Sequence, residues 1–219
     1  MKKIGVIVAM QKELDLFIKN LDNYRIVNFH HKPFYIGKYK GFDLIITVSG
    51  IGKVAATLTT SNMIYSFSPE LIINIGVSGG IDSSLKIGDW VLGLNLKYHD
   101  FWSGDADGFE NIDYLFHSDL EIAAKQKGCI KGLICCGDQF ITDAAELAEI
   151  KAQYPQALAV DMESTAIAQT CDAYGVKFLC MRQISDVPGA SNHVEQYDEF
   201  WRNASEHSCI VLKSILESL

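Results

Sequence analysis

The chain has 219 residues, 48% hydrophobic and 21% charged, enough to bury the core of one domain spanning residues 1–219. Its 19 basic and 27 acidic residues give a net charge of −8, too little cation density for a run of phosphates; this excludes nucleic-acid polymers and leaves an uncharged nucleoside open. No stretch reaches the length of a membrane span, and the first apolar run meets Gln11, Lys12 and Glu13 too soon for a secretion signal, so the expected location is the cytoplasm.

In chain order, "IGVIVAM" reads as a buried strand, and "KELDLFIKNL" as a helix with Leu14, Phe17, Ile18 and Leu21 on one stripe. Turn signals at Lys32-Pro33 and Lys40-Gly41 predict antiparallel strands leading into a strand from Phe42 to Val48. "GIGKVAATLTTSNMIYSF" predicts a helix opened by glycine and stopped near Ser68-Pro69, and "LIINIGVSGG" a strand ending in a glycine turn. "KIGDWVLGLNLKYHD" is strand-like, and "FWSGDADGFENIDYLF", polar and aromatic, reads as a surface loop near a site. Then come the strand "IKGLICCG", the helix "DAAELAEIKAQY", the strand "ALAV", the helix "MESTAIAQTCDAY", the strand "KFLCMRQIS" and a closing helix from Gln196 to the end. Strands alternating with helices behind an early antiparallel portion predict an α/β sandwich around a mixed sheet. The six cysteines, Cys129, Cys135, Cys136, Cys171, Cys180 and Cys209, contain no C-x-x-C pair and read as buried, reduced thiols without disulfide or metal roles.

Ligands of open α/β folds collect at the carboxyl ends of strands. Those places hold Met10 and Glu13, then Ser49 to Gly52, Gly76 to Gly80, Gly137 to Phe140, Asp161 to Glu163, and Arg182, Ser185 and Asp186. Taken singly, a strand-end acid is commonly a helix cap and a strand-end glycine a turn; their shared position is what points to a site. Neither glycine run completes G-x-G-x-x-G, and no P-loop occurs.

The ordered segments "IGVIVAMQKELDLF", "VSGIGKVAAT", "IINIGVSGG", "KIGDWVLG" with "YHD", "GDQFITD", "VDMESTAIA" and "RQISDVPG" resemble the purine nucleoside phosphorylase and nucleosidase superfamily over nearly the whole chain, above all its 5′-methylthioadenosine/S-adenosylhomocysteine nucleosidases. The resemblance implies a three-layer α/β sandwich with a central mixed sheet flanked by helices, a homodimer, a small-molecule nucleoside substrate, and neither cofactor nor metal. It implies that Asp186 is the general acid protonating the purine N7, since adenine leaves poorly as an anion. Glu13 matches the acid that holds and deprotonates water. Glu163, with Met162 and Arg182, matches the ribose site, where an ionised carboxylate accepts from neighbouring hydroxyls and favours an oxocarbenium-like sugar. Phe140, Ile141 and Ser185 fall with Asp186 at the adenine site, and Met10, Ile51 and Tyr197 at the pocket for the 5′ substituent. Asp161 reads as a cap or structural acid.

The segment "MQKELD" puts a carboxylate where a phosphorylase would cradle phosphate, and no G-D-P-x-R turn occurs, so a hydrolase is expected. The chain departs from the family in carrying Val77 where a serine is usual, with Ser78 one place later, in its segment from Phe101 to Phe116, and in Tyr197 for a phenylalanine. A hydrolase or phosphorylase for another purine nucleoside, such as a futalosine-type one, and a noncatalytic nucleoside-binding protein are the other readings.

Overall fold

The computed structural model describes residues 3–29, 31–102, 104, 114–187, 200 and 204–219. The strands are β1 (Lys3–Val8), β2 (Asp22–Phe29), β3 (Lys32–Tyr39), β4 (Phe42–Val48), β5 (Leu71–Gly80), β6 (Trp90–Tyr98), β7 (Leu115–His117), β8 (Ile130–Cys136), β9 (Ala157–Asp161) and β10 (Lys177–Asp186). The helices are α1 (Asp15–Ile18), α2 (Lys53–Phe67), α3 (Leu120–Lys125), α4 (Ala144–Gln153), α5 (Ser164–Ala173) and α6 (Ala204–Ser218). All ten strands join one mixed sheet in the order β10-β6-β8-β9-β5-β1-β4-β3-β2, with β7 on β6. Because β10 also pairs with β5, strands β5, β10, β6, β8 and β9 close on themselves like a small barrel.

The layers follow from the period-two alternation of a strand with both faces buried. Val6, Ile46, Ile73 and Ile75 pack toward Phe17 and Ile18 of α1 and Leu212, Ile215 and Leu216 of α6. Their neighbours Ile7, Ile45 and Ile72 face Ala56 and Met63 of α2 and Ile167 and Cys171 of α5. This is the expected sandwich around a mixed sheet. Among the described residues no helix is long and apolar enough to cross a membrane.

Several local expectations change. The segment "KELDLFIKNL" forms only a 3-10 turn, Gln11–Glu13, and the single turn α1, because β2 already starts at Asp22; the predicted stripe is nonetheless buried. The first hairpin turns before Lys32, with His31 at φ 65°, while Pro33 sits near the start of β3 opposite Asn28, where a missing N–H is tolerated. The Lys40-Gly41 turn is as predicted, both residues having positive φ. Strand β5 does not turn at its glycines: Gly79 and Gly80 pair with Val160 and Ala159 of β9. Strand β7 and helix α3 were not predicted; α3 opens on Asp119, whose side chain accepts from Ile122 N–H.

Candidate active site

The sheet gathers carboxyl ends at one place. Strands β5 and β9 run antiparallel and overlap only through their last residues, so Gly76 to Gly79 meet Asp161 to Glu163 end to end. Strand β10 lies parallel to β5, and a bulge between Ile184 and Asp186 inserts Ser185, so that Ser185 and Asp186 both border the same cavity. The cavity, of about 350 Å³, is lined further by Met10 and Glu13 after β1, Ile51 before α2, and Gln139, Phe140 and Ile141 after β8. Every residue given a site role by the resemblance borders this one cavity, except Tyr197, which lies outside the described residues; of the other strand-end candidates, Ser49, Gly50, Gly52, Gly80, Gly137 and Asp138 do not line it.

Glu13 is buried, with 3% exposure. Its Oε2 accepts from Met10 N–H at 2.8 Å. Burial lifts its pKa from the ordinary 4.5 to about 7, against the opposing pull of the Met10 amide and the Arg182 charge. Gly76 makes room for this carboxylate: a Cβ there would stand 2.6 Å from Glu13 Oε1.

Glu163, 7% exposed, stands at the N-cap of α5, and its Oε1 accepts from Gly52 N–H at 2.9 Å. Gly52 has φ 93°, a left-handed conformation suited to glycine, and so turns its amide toward the site. Burial first, and then the negative charge of Asp161, raise Glu163 to about 7 as well.

Arg182, 2% exposed, is fixed by Asp161 Oδ2, which accepts from Nε at 2.8 Å, and by Asn74 Oδ1, which accepts from Nη2 at 2.5 Å. The other oxygen of Asp161 accepts from Glu163 N–H, Ser164 N–H and Ser164 Oγ at 3.2, 3.1 and 2.9 Å. Asp161 is thus a cap, as expected, and also the ion-pair partner of Arg182, which was not. Asn74 was missed too; its signal was a lone amide inside the apolar run "LIINIG".

Asp186, 1% exposed, accepts at Oδ1 from Ser185 Oγ at 2.6 Å, and Ser185 Oγ also reaches Ser78 O at 3.3 Å. Phe140 is 45% exposed at the rim, whereas Ile141 is buried. A clasp holds this rim. Lys53 Nζ donates to Asp100 at 2.8 and 2.9 Å, Lys53 N–H donates to Asp138 Oδ1 at 2.7 Å, and Asp138 N–H donates to Asp100 Oδ2 at 2.9 Å. The start of α2 and the segments after β6 and β8 are so tied together, a role for Lys53 and Asp100 not foreseen from the sequence. Val77 lines the cavity where a serine was expected, and Ser78, the next residue of β5, borders it as well.

The arrangement sets three buried carboxylates, Glu13, Glu163 and Asp186, around one cavity, and burial leaves Glu13 and Glu163 able to exchange a proton near neutral pH. Among the described lining residues Arg182 is the sole basic side chain.

Residues 3–217 match the phosphorylase superfamily. In three dimensions the chain superimposes on the 5′-methylthioadenosine/S-adenosylhomocysteine nucleosidase from Neisseria meningitidis in complex with methylthio-immucillin-A, with TM-score 0.90 and 32% identity over 100% of both chains. It matches the S-adenosylhomocysteine nucleosidase from Streptococcus pyogenes with TM-score 0.90 and 31% identity, over 100% of this chain and 97% of that one. Futalosine hydrolase of Helicobacter pylori is similar at TM-score 0.89 and 27% identity, over 100% of this chain and 98% of that one.

Proposed function

The chain belongs to the phosphorylase superfamily, and from that membership we propose that it is an N-ribosyl hydrolase releasing adenine from 5′-methylthioadenosine or S-adenosylhomocysteine. The observation that carries the choice of water over phosphate is the state of Arg182. Among the described lining residues the single basic side chain is already paired with Asp161, and two more buried carboxylates, Glu13 and Glu163, stand beside it. Among the described residues a phosphate dianion would find no uncommitted cation there and two acids to repel it; a neutral water finds a base.

On this reading the cavity residues divide the steps among them. Asp186 gives its proton to the purine N7, and the C1′–N9 bond breaks with its electron pair passing to the base. Glu163 holds the ribose hydroxyls on the oxygen that Gly52 leaves open and stabilises positive charge on the sugar. Water adds to C1′ as Glu13 takes its proton; a base with a pKa of about 7 is matched to neutral solution. Phe140 stacks on the adenine, Ile141 and Ser185 border it, and Met10, Met162 and Ile51 line the ribose and the 5′ substituent.

The test is incubation with 5′-methylthioadenosine in phosphate-free buffer, where adenine and methylthioribose are expected. Turnover only with phosphate, giving methylthioribose 1-phosphate, would overturn the reading. The near-equal superposition on futalosine hydrolase supports a second substrate, futalosine, and the two nucleosides compared in one assay decide between them. Methylthioribose as product fits a place in methionine salvage. Six free thiols support a cytoplasmic location. A homodimer is supported by α2, whose outer face exposes Val54, Leu58 and Tyr65 in line with Ile51.

A further inference from the structure

Glu13, Asp161 and Glu163 converge on one buried cation, yet among the described residues Asp161 alone forms an ion pair with it. The two oxygens of Asp161 divide the work. One holds Arg182 Nε, and the other takes both amides that open α5 together with the Ser164 hydroxyl. Asn74 pins the far side of the guanidinium at 2.5 Å. The side chains of Asp161 and Arg182 are each 2% exposed, so water does not compete for the pair.

We propose that Asp161 is a positioning residue of the hydrolysis: it holds Arg182 back from Glu13 and Glu163, leaving their carboxylates to water and ribose, and the same side chain fixes the turn that carries Glu163. The inference rests on the hydrolase reading. It goes beyond a capping role because the ion pair and the cap occupy different oxygens and can be separated by mutation.

The groups facing Asp161 are Arg182 and Cys180 from β10, Glu163 from the start of α5, Cys135 and Cys136 from β8, and His99 after β6. Burial raises the three thiols and disfavours the charged form of His99, so the charges that matter most are Arg182 and the glutamates. With Asp161 ionised, the guanidinium is balanced, and burial governs Glu13 and Glu163, which sit at about 7. Asparagine at 161 can still accept from the amides of α5. It brings no charge to Arg182, however, and the freed cation turns to the glutamates. Both effects have one sign: loss of the negative charge and an unbalanced positive one each favour ionised glutamate and lower its pKa.

The experiment measures kcat and KM for 5′-methylthioadenosine from pH 5 to 9, with thermal midpoints, in the full chain and in Asp161→Asn, Asp161→Glu and Ser164→Ala. Asp161→Asn should move the acid limb of kcat down by about one pH unit or more and lower the plateau about tenfold or more, since a weaker base accelerates less. Asp161→Glu should restore the limb. Ser164→Ala loses part of the cap alone, and should lower the midpoint while leaving the limb in place. A folded Asp161→Asn variant with the parent limb and plateau would overturn the proposal, as would a Ser164→Ala limb displaced like that of Asp161→Asn. Titration of 13C-labelled glutamate carboxyls reads the same shift without turnover, so an inactive parent enzyme would sink the hydrolase reading and leave this test standing. If Asp161→Asn does not fold, the Asp161→Asn, Arg182→Met double variant removes the pair together. Glu13 should then titrate close to where it does in Arg182→Met alone, since the Asp161 charge acts on it chiefly through Arg182; a further shift of a full unit would refute action through Arg182.

Discussion

Glu13 shows how one residue sets opposing demands on chemistry and stability. Its carboxyl is pushed up to about 7 from 4.5, so it is mostly ionised only above that pH, and in the proposed base role kcat should fall about tenfold per pH unit below it. The same shift acts on folding. The folded chain holds this proton more tightly than the unfolded one, so the stabilising contribution is full below about 4.5 and is lost as pH rises through about 7. Glu13→Gln, which never ionises, should lose most of its single-turnover rate with little change in substrate affinity, and above pH 7 it should melt a few degrees higher than the parent. An unchanged rate with a lowered midpoint would make Glu13 a mere cap of the turn it occupies. Asp186 predicts a different pattern: Asp186→Asn keeps a hydrogen-bonding amide but is no acid, so nucleoside binding should survive while turnover drops about a hundredfold to ten-thousandfold. Calorimetric binding beside a turnover assay separates the two, and near-parent turnover would move the proton donor elsewhere.

At the scale of elements, β5 supports the site through what it lacks. A methyl at Gly76 would need the space of Glu13 Oε1, 2.6 Å away, so Gly76→Ala should displace the base and cut kcat about a hundredfold. Parent kcat in a folded Gly76→Ala variant would show that the carboxylate can move freely. The clasp over the rim makes a milder prediction. Lys53→Met takes the ammonium from Asp100 and Asp138, both partly exposed, and keeps the two backbone bonds of the clasp, so the midpoint should barely change; KM should rise several-fold as the segment bearing Phe140 loosens, and steady-state kinetics check this. These elements also mark how far the sequence could be read. The alternation of apolar residues exposed both faces of the sheet, and the strand-end positions located Glu13, Glu163 and Asp186, because both signals are local. The link from Asp161 to Arg182 and Asn74 was hidden, since it joins β9, β10 and β5, and side chains distant in sequence meet only once those strands are in register. The glycines of β5 misled in the other direction: they signal turns in a sequence, but here they clear space within a strand.

At the scale of the molecule, α2 presents one face to the core and another, equally apolar, outward. Ala56, Thr60 and Met63 are buried, while Val54, Leu58 and Tyr65 are exposed. If that outer face joins two copies, Leu58→Glu should sediment as a monomer at concentrations where the parent is a dimer; a parent that is itself monomeric would end the proposal. The closure of the sheet reaches further, into how the protein comes into being. Strand β10 pairs along β5 from Lys177 opposite Leu71 to Asp186 opposite Gly79, and it carries Arg182 and Asp186 into place as it does so. On a ribosome adding about 5–20 residues per second, β5 emerges roughly five to twenty seconds before its partner. Throughout that interval β5 has an uncovered edge and the nascent chain lacks Arg182, Asp186 and the closed cavity. On the proposed roles, catalytic competence arrives late in synthesis, and a chain truncated before residue 177 should carry Glu13 and Glu163 yet fail to cleave a nucleoside.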